Sequence, residues 1–264
     1  MIAIRIGDIQ YHAFPFNAQL EFLDDSMVEF GIDLAHALDR QFRFPLRTVL
    51  SQRDVPGTTI NTIPILKKKG IKAITFGVNG ASAPPIVPRN FRWQHPITKD
   101  EVLVMYHPGG YGGVTFEDAV IIDGFEETLV AYFKNDNEGP PDADEVLGVY
   151  ATIEREFPNA TILASSFDEF VSRLQSIFLF FFFFFFFFLP FPFPFPFPFP
   201  FFIFLCSKDS TWYASLPIDS SEIGDTWIHG VARFFLGSFD YIYFSDYHYS
   251  MLVIHSKLLS IARY

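Results

Sequence analysis

Four polar side chains stand directly after segments that the sequence predicts to be β-strands: Asp54, Asn79, His107 and Asp136. Carboxylate and imidazole groups attack carbon centres and transfer protons in many enzymes. In parallel sheets covered by helices, binding and catalytic residues lie beyond the carboxyl ends of the strands. Asp before Pro-Gly and Asn before Gly are also common turn residues, so their positions alone leave both interpretations open.

The predicted elements that position these side chains alternate between strand and helix. Runs of β-branched and aromatic residues predict strands, and apolar residues at helical spacing predict helices. The predicted strands are residues 4–14, 48–50, 72–78, 102–106, 129–133 and 161–164. The first predicted helix begins at Ser26, and the second covers residues 60–69. A third helix follows the cap formed by Asp142 and Glu145, and a fourth covers residues 168–174. This alternation predicts a parallel sheet flanked by helices.

The helix that begins at Ser26 has two specific signals. Ser26 and Glu29 have the spacing of a capping box, in which the two side chains satisfy the first backbone N–H groups of a helix. Four apolar residues then fall on one face, which is typical of a helix that buries that face. These residues are Phe30, Leu34, Ala37 and Leu38.

Residues 178–205 form a low-complexity tract of Phe, Leu and Pro that holds 18 of the 36 Phe residues of the chain. All three residue types have codons made only of C and T, so we interpret the tract as translated intron or microsatellite sequence. A membrane-spanning helix is disfavoured, because Pro at every second position from Pro190 to Pro200 breaks helical hydrogen bonding. A polyproline linker is the other alternative, although such linkers are typically polar.

Charge and composition exclude several classes of protein. The 264-residue chain has a net charge of −11, which argues against nucleic-acid binding, since that needs a basic surface. Cys206 is the only cysteine, so the chain has neither a disulfide framework nor a thiolate zinc site. The N-terminal residues lack the pattern of a signal peptide, and a cytoplasmic location is therefore the default expectation.

Six short runs taken together resemble the domain-of-unknown-function family 5054, which is similar to the N-terminal catalytic domain of family-38 α-mannosidases. The runs are Asp54–Gly57, Gly77–Pro85, Phe91–Trp93, Val104–Gly113, Asp136–Pro140 and Glu222–Val231. The resemblance covers roughly residues 7–176 and 212–232. These two parts would nearly adjoin in the family, which supports the interpretation of the tract as an insertion.

The resemblance implies an α/β fold, namely an incomplete (β/α)7-type barrel of parallel strands with outer helices, interrupted by the Phe/Pro tract. Residues 1–177 would form the barrel without its N-terminal part, and residues 206–232 would continue it after the tract. Residues 233–264 are an unmatched tail. A barrel that lacks its first strand would leave an unpaired sheet edge.

In function, the resemblance implies a zinc-dependent retaining glycoside hydrolase of the α-mannosidase type, with a carbohydrate substrate. Asp54 matches the residue that is both nucleophile and zinc ligand, and Asp136 matches the general acid/base. Retaining glycosidases hold two such carboxyl groups ~5 to 5.5 Å apart across the bond that breaks. No His-x-Asp pair, which would supply two further zinc ligands, occurs before Ile9, so we expect the chain as written to be inactive.

The same runs supply further candidates. The substrate-binding candidates are Trp93, Tyr106, His107, Asp225 and Trp227, for which ordinary packing is the alternative. His229 is the candidate metal ligand beside Asp54, and His12 is another candidate ligand, although an isolated histidine is commonly structural in either case. Two other functions stay open, a non-catalytic remnant from a truncated or mis-assembled gene and a polysaccharide deacetylase-like metal hydrolase. A membrane partner is not expected.

Overall fold

The computed structural model of this chain describes residues 2–6, 9–55, 57–79, 84–132, 134, 138, 140–176, 211–221, 223 and 250–256. In these ranges the helices are α1 (Ile2–Ile6), α2 (Asp25–Phe42), α3 (Thr62–Lys68), α4 (Ala143–Glu156), α5 (Phe167–Leu174) and α6 (Thr211–Ser215). The strands are β1 (Val49–Arg53), β2 (Ala73–Gly77), β3 (Asn90–Gln94), β4 (Glu101–His107), β5 (Glu127–Tyr132), β6 (Ala160–Ser165), β7 (Ile218–Asp219) and β8 (Ser250–Ser256). The Phe/Pro tract lies outside the described residues.

The larger sheet has five strands in the order β1-β2-β4-β3-β7 and is mostly parallel. Strands β1, β2 and β4 are parallel neighbours, and β7 runs parallel to β3. Strand β3 is antiparallel to β4, which corrects the expectation of parallel strands throughout. The reason is the short connection over residues 95–100, because parallel neighbours need a crossover of about a dozen residues or more.

The smaller sheet has three strands in the order β5-β8-β6. Strand β8 is antiparallel to both of its neighbours and belongs to the segment that the sequence left unmatched. It separates β5 from β6, which would be neighbours in a parallel barrel. The described residues therefore form a mixed α/β fold with two sheets and no closed barrel.

Helices cover both faces of the larger sheet at β1 and β2, and every residue of these two strands is buried. On one face, Leu50 and Ile74 pack with Ile32 of α2 and Leu66 of α3. On the other face, Val49, Ala73 and Leu103 pack with Leu129 of β5 and Phe170 of α5. Two cores thus hold the parallel strands in place, as is typical of parallel strands covered by other elements on both faces.

The predicted strand over residues 4–14 is wrong. Its first part is helix α1, and the described part of its second half is irregular. Gly7 and Asp8, two poor strand formers, interrupt its apolar pattern. The chain from Ala13 onwards lies along the outer edge of β1, where the Ala13 N–H donates to the Val49 oxygen at 2.8 Å. Part of the sheet edge that we expected to be unpaired is therefore covered.

Helix α2 begins one residue before Ser26, and its N-cap is Asp24. The Asp24 carboxylate accepts the Met27 N–H at 2.9 Å, while the Ser26 hydroxyl donates to the same carboxylate at 2.7 Å. The predicted capping box at Ser26 and Glu29 is therefore wrong. A carboxylate at this position is also favoured by the helix dipole.

The apolar face predicted for α2 points away from the core. Phe30 is 62% exposed and Leu34 is 41% exposed, whereas Val28 and Ile32 on the other side are 2% and 0% exposed. The buried side includes Gly31, which lies so close to the Phe14 ring that a Cβ atom there would come within 2.4 Å of it. The helix thus has two apolar faces, and the one with the smaller residues packs against the sheet.

Among the described residues, no helix combines the length and the apolar character that crossing a bilayer requires.

Candidate functional site

The carboxyl ends of β1, β2 and β4 meet at one edge of the larger sheet. The strand register places Arg53 beside Gly77, and Gly77 beside His107. Asp54 follows directly, and its N–H donates to the Gly77 oxygen at 2.8 Å. Asp54, Asn79 and His107 therefore come to the same edge of the sheet, as the order of predicted elements indicated.

Asp54 has an unusual backbone and a well-supported carboxylate. Its φ angle is 61°, in the left-handed region that Gly, Asn and Asp tolerate better than other residues. Oδ1 accepts a hydrogen bond from Asn79 Nδ2 at 2.7 Å and another from the Tyr111 hydroxyl. The side chain is exposed. Asp54 thus presents an oriented carboxylate to solvent at the edge where parallel sheets carry their ligands.

Tyr111, which the sequence did not single out, lies above Arg53. The Arg53 side chain is buried, and its Cζ atom lies 5.2 Å from the centroid of the Tyr111 ring. This is cation–π distance. The signal that would have found Tyr111 is its position as the aromatic residue within the glycine-rich run Gly109–Gly113.

A small cavity of about 20 Å³ lies beneath this edge, which is room for about one water molecule. Its polar lining includes Ser51, Thr75, Arg53 and His107, and it also includes a second carboxylate, that of Asp118. The Thr115 hydroxyl donates to Asp118 Oδ2 at 2.7 Å. Sequence reasoning missed Asp118, because it stands in an irregular loop and not directly after a predicted strand.

His107 is a neutral imidazole in this setting. Burial lowers the pKa of His107 to about 4, the nearby Arg89 charge lowers it too, and Asp118 acts in the opposite direction. Gly112 has a φ angle of 83°, and a Cβ atom there would lie 3.1 Å from the imidazole Cε1. The glycine-rich loop therefore packs closely over the ring. His107 stays a substrate-binding candidate that would act through hydrogen bonds without charge.

Trp93 and Tyr106 lie in the hydrophobic core, where they are 0% and 1% exposed. The Trp93 indole N–H donates to the Ser221 oxygen at 2.9 Å. In the structure neither ring faces solvent, so neither is placed to stack on a sugar. Their positions correspond to the packing alternative, because alternate residues of β3 and the inner residues of β4 point into the core.

His12 has a structural environment. Its Nδ1 accepts the Phe14 N–H at 3.2 Å, and burial lowers the pKa of His12 to about 4. The remaining sequence candidates, Asp136, Asp225, Trp227 and His229, lie outside the described residues.

The part of the chain that the structure describes contains no group of three or more His, Cys, Asp or Glu side chains that could hold a metal ion. Asp54 supplies one carboxylate there, whereas catalytic zinc sites take three protein ligands. The described residues by themselves do not fit the zinc site that the resemblance implies. Asp54 stays a metal-ligand candidate only together with His229 and other ligands from beyond these residues.

Comparisons of the chain with protein-family models, curated proteins and solved structures found no match. The resemblance to family 5054 and to the α-mannosidases therefore stays a prediction from the sequence runs. The functional conclusion depends on the geometry around Asp54.

Proposed function

We propose that this chain carries the nucleophile side of an α-mannosidase-like retaining glycoside hydrolase, with Asp54 as the nucleophile and a carbohydrate as the substrate. The observation that supports this proposal is the exposed carboxylate of Asp54, oriented by two neutral donors at the carboxyl edge of parallel strands. A sheet edge of this kind is where α/β folds of many families bind and convert ligands.

The two oxygens of the Asp54 carboxylate would have different tasks. Oδ1 accepts hydrogen bonds from Tyr111 and Asn79, so any rotation of the carboxylate other than the half-turn that exchanges its two equivalent oxygens would break both. Oδ2 attacks the anomeric carbon, the glycosidic bond breaks, and a glycosyl ester of Asp54 forms. The leaving oxygen takes a proton from a second carboxyl group, the role that the resemblance gives to Asp136. That group then deprotonates a water molecule, which releases the sugar and restores Asp54.

None of these steps uses zinc, because the described residues do not form a zinc site. The second candidate is a non-catalytic remnant of such an enzyme, and the burial of the sugar-stacking candidates Trp93 and Tyr106 favours it. In that case Asp54 and His107 would contact sugar hydroxyl groups without breaking a bond. The two candidates differ in one chemical event, the formation of the ester on Asp54.

The test is covalent trapping on the full chain in the presence of zinc. A fluorinated α-mannosyl fluoride is incubated with the protein, and peptide mass spectrometry locates any sugar adduct. The hydrolase proposal predicts an adduct on Asp54 that is absent from Asp54→Asn, in contrast to the inactivity that the missing His-x-Asp pair leads us to expect. The matched control is Asp123→Asn, which changes another exposed aspartate, in the turn before β5, and should leave the adduct in place.

The second measurement is hydrolysis of an aryl α-mannoside by the same proteins. A folded chain that forms no adduct and releases no aryl alcohol would contradict the hydrolase proposal and favour the non-catalytic remnant. Circular dichroism of each variant establishes that the protein is folded.

A further inference from the structure

We propose that Tyr111 is a positioning residue that fixes the orientation of the Asp54 carboxylate, and that Gly77 and Arg53 hold Tyr111 in place for this purpose. This inference rests on the proposed glycosidase function and extends it to residues outside the predicted site. It is carried by three contacts, each of which involves a different part of the Tyr111 residue.

The first contact is between the Tyr111 hydroxyl and Asp54 Oδ1. Asn79 Nδ2 donates to the same oxygen at 2.7 Å. Two donors on one oxygen favour a single orientation of the carboxylate. A half-turn only exchanges its two equivalent oxygens, whereas any other rotation would break both hydrogen bonds. Oδ2 is then the oxygen directed away from both donors, as a nucleophile requires.

The second contact explains how a loop residue that follows β4 reaches the end of β1. Strand β2 lies between β1 and β4, and Gly77 is its last residue. The Tyr111 backbone and ring lie directly against Gly77. A Cβ atom on Gly77 would lie 2.9 Å from both Cα and Cδ1 of Tyr111. Because one of these is a backbone atom, the clash could be relieved only by moving the loop. Gly77 is therefore the residue that lets Tyr111 cross the end of β2.

The third contact fixes the ring from below. The guanidinium of Arg53 lies under the Tyr111 ring at 5.2 Å, and the Arg53 side chain is 6% exposed. Arg53 and Asp54 are consecutive, so a single stretch of chain supplies both the nucleophile and the support for its positioning residue.

The first test is independent of any activity and uses the full chain with ¹³C-labelled aspartate carboxyl groups. The Asp54 resonance is assigned by its absence from Asp54→Asn. Tyr111→Phe removes the hydroxyl and keeps the ring, and we expect it to shift the Asp54 carboxyl resonance while that of Asp118 stays in place. An unchanged Asp54 resonance in Tyr111→Phe would overturn the inference.

Glycine substitutions test the same geometry without touching the hydroxyl. Gly77→Ala should displace Tyr111 and shift the Asp54 resonance in the same direction as Tyr111→Phe. The matched control is Gly109→Ala in the same loop as Tyr111, at a position where a Cβ atom meets nothing within 4 Å. Equal effects of Gly77→Ala and Gly109→Ala would show a general disturbance of the loop and would also overturn the inference.

The second test concerns the reaction. Tyr111→Phe should slow the trapping of Asp54 by the fluorinated glycosyl fluoride about tenfold, the effect of one lost hydrogen bond to a charged group, with the half-saturating concentration unchanged. An unchanged trapping rate overturns the positioning role. If the natural sequence itself forms no adduct, the hydrolase proposal fails, and the carboxyl resonance alone upholds or overturns the orientation of Asp54 by Tyr111.

Discussion

At the scale of single residues, the proposed chemistry depends on one exposed carboxylate that two uncharged side chains hold. Its position after β1 followed from the sequence, because the short predicted strand over residues 48–50 is followed by the turn signal Asp-Val-Pro-Gly. The position of Asn79 at the same edge followed too, but the contacts of Tyr111 and Asn79 with Asp54 did not, because they span 57 and 25 residues of sequence. Such contacts depend on the strand order, which periodicity does not encode.

The left-handed backbone of Asp54 leads to a prediction about stability. Asp54→Val should lower the free energy of unfolding by about 1–3 kcal/mol, since a β-branched residue is strained at a φ angle of 61°. Chemical denaturation measures the change. Asp123→Val is the control, because the Asp123 φ angle is not in this region, and it should cost less. Equal costs at the two positions would contradict a strained conformation at Asp54.

At the scale of elements, the sequence predicted those whose signals are local. The capping box of Asp142 and Glu145 is present, with the Glu145 N–H donating to Asp142 Oδ1 at 2.9 Å, and it starts α4 as expected. Strand β3 was missed, although its alternation of buried Phe91 and Trp93 with polar residues is a period-two pattern. A five-residue strand with three polar residues resembles a loop until its partner β4 is known.

The buried face of α2 was mispredicted for a related reason. Both faces of the helix carry apolar residues at helical spacing, so the pattern fits either face equally well. The choice depends on how closely the helix can approach the sheet. Gly31 lets the Phe14 ring pack directly against the helix on the buried side, whereas the large Phe30 side chain on the other face is 62% exposed.

A pair of substitutions in α2 tests this assignment. Ile32→Ala should lower the free energy of unfolding by about 2–5 kcal/mol, because it leaves a cavity in the core. Phe30→Ala removes a larger side chain that is 62% exposed, and its effect should stay within about 0.5 kcal/mol. Denaturant unfolding of both variants gives the comparison. A larger loss from Phe30→Ala would mean that the exposed face is covered in solution.

At the scale of the whole molecule, the dependence of stability on pH provides a further prediction. Burial lowers the pKa of both His12 and His107 from the ordinary value of 6.5 to about 4. Between these two pH values the unfolded chain binds protons that the folded chain does not. The free energy of unfolding contributed by these groups therefore falls as the pH falls from about 6.5 to about 4.

Asp168 acts in the opposite direction over part of this range, because burial raises its pKa. The contribution of Asp168 to the free energy of unfolding is present at low pH. It is lost as the pH rises through the pKa that Asp168 has in the folded chain. Denaturant titrations at a series of pH values should show a shallower slope between pH 6.5 and 4 for His12→Gln than for the natural sequence. Parallel curves for the two proteins would contradict a lowered pKa of His12 in the folded chain.

The mostly parallel sheet followed from the alternation of elements, whereas the two-sheet arrangement did not. A strand in the unmatched tail, β8, pairs with β5 and β6, and nothing in the local pattern of residues 250–256 specifies these partners. Pairing between strands so distant in sequence is decided by the packing of the whole chain.

The left-handed conformation of Asp54 also has an evolutionary consequence. Asparagine tolerates this conformation about as well as aspartate does, and the codons of the two residues differ by a single base. A one-base change at this codon would remove the carboxylate while the chain folds as before. Gene copies that have lost the proposed nucleophile would then persist as folded proteins, and natural variants with asparagine at this position would identify lineages without selection for the proposed reaction.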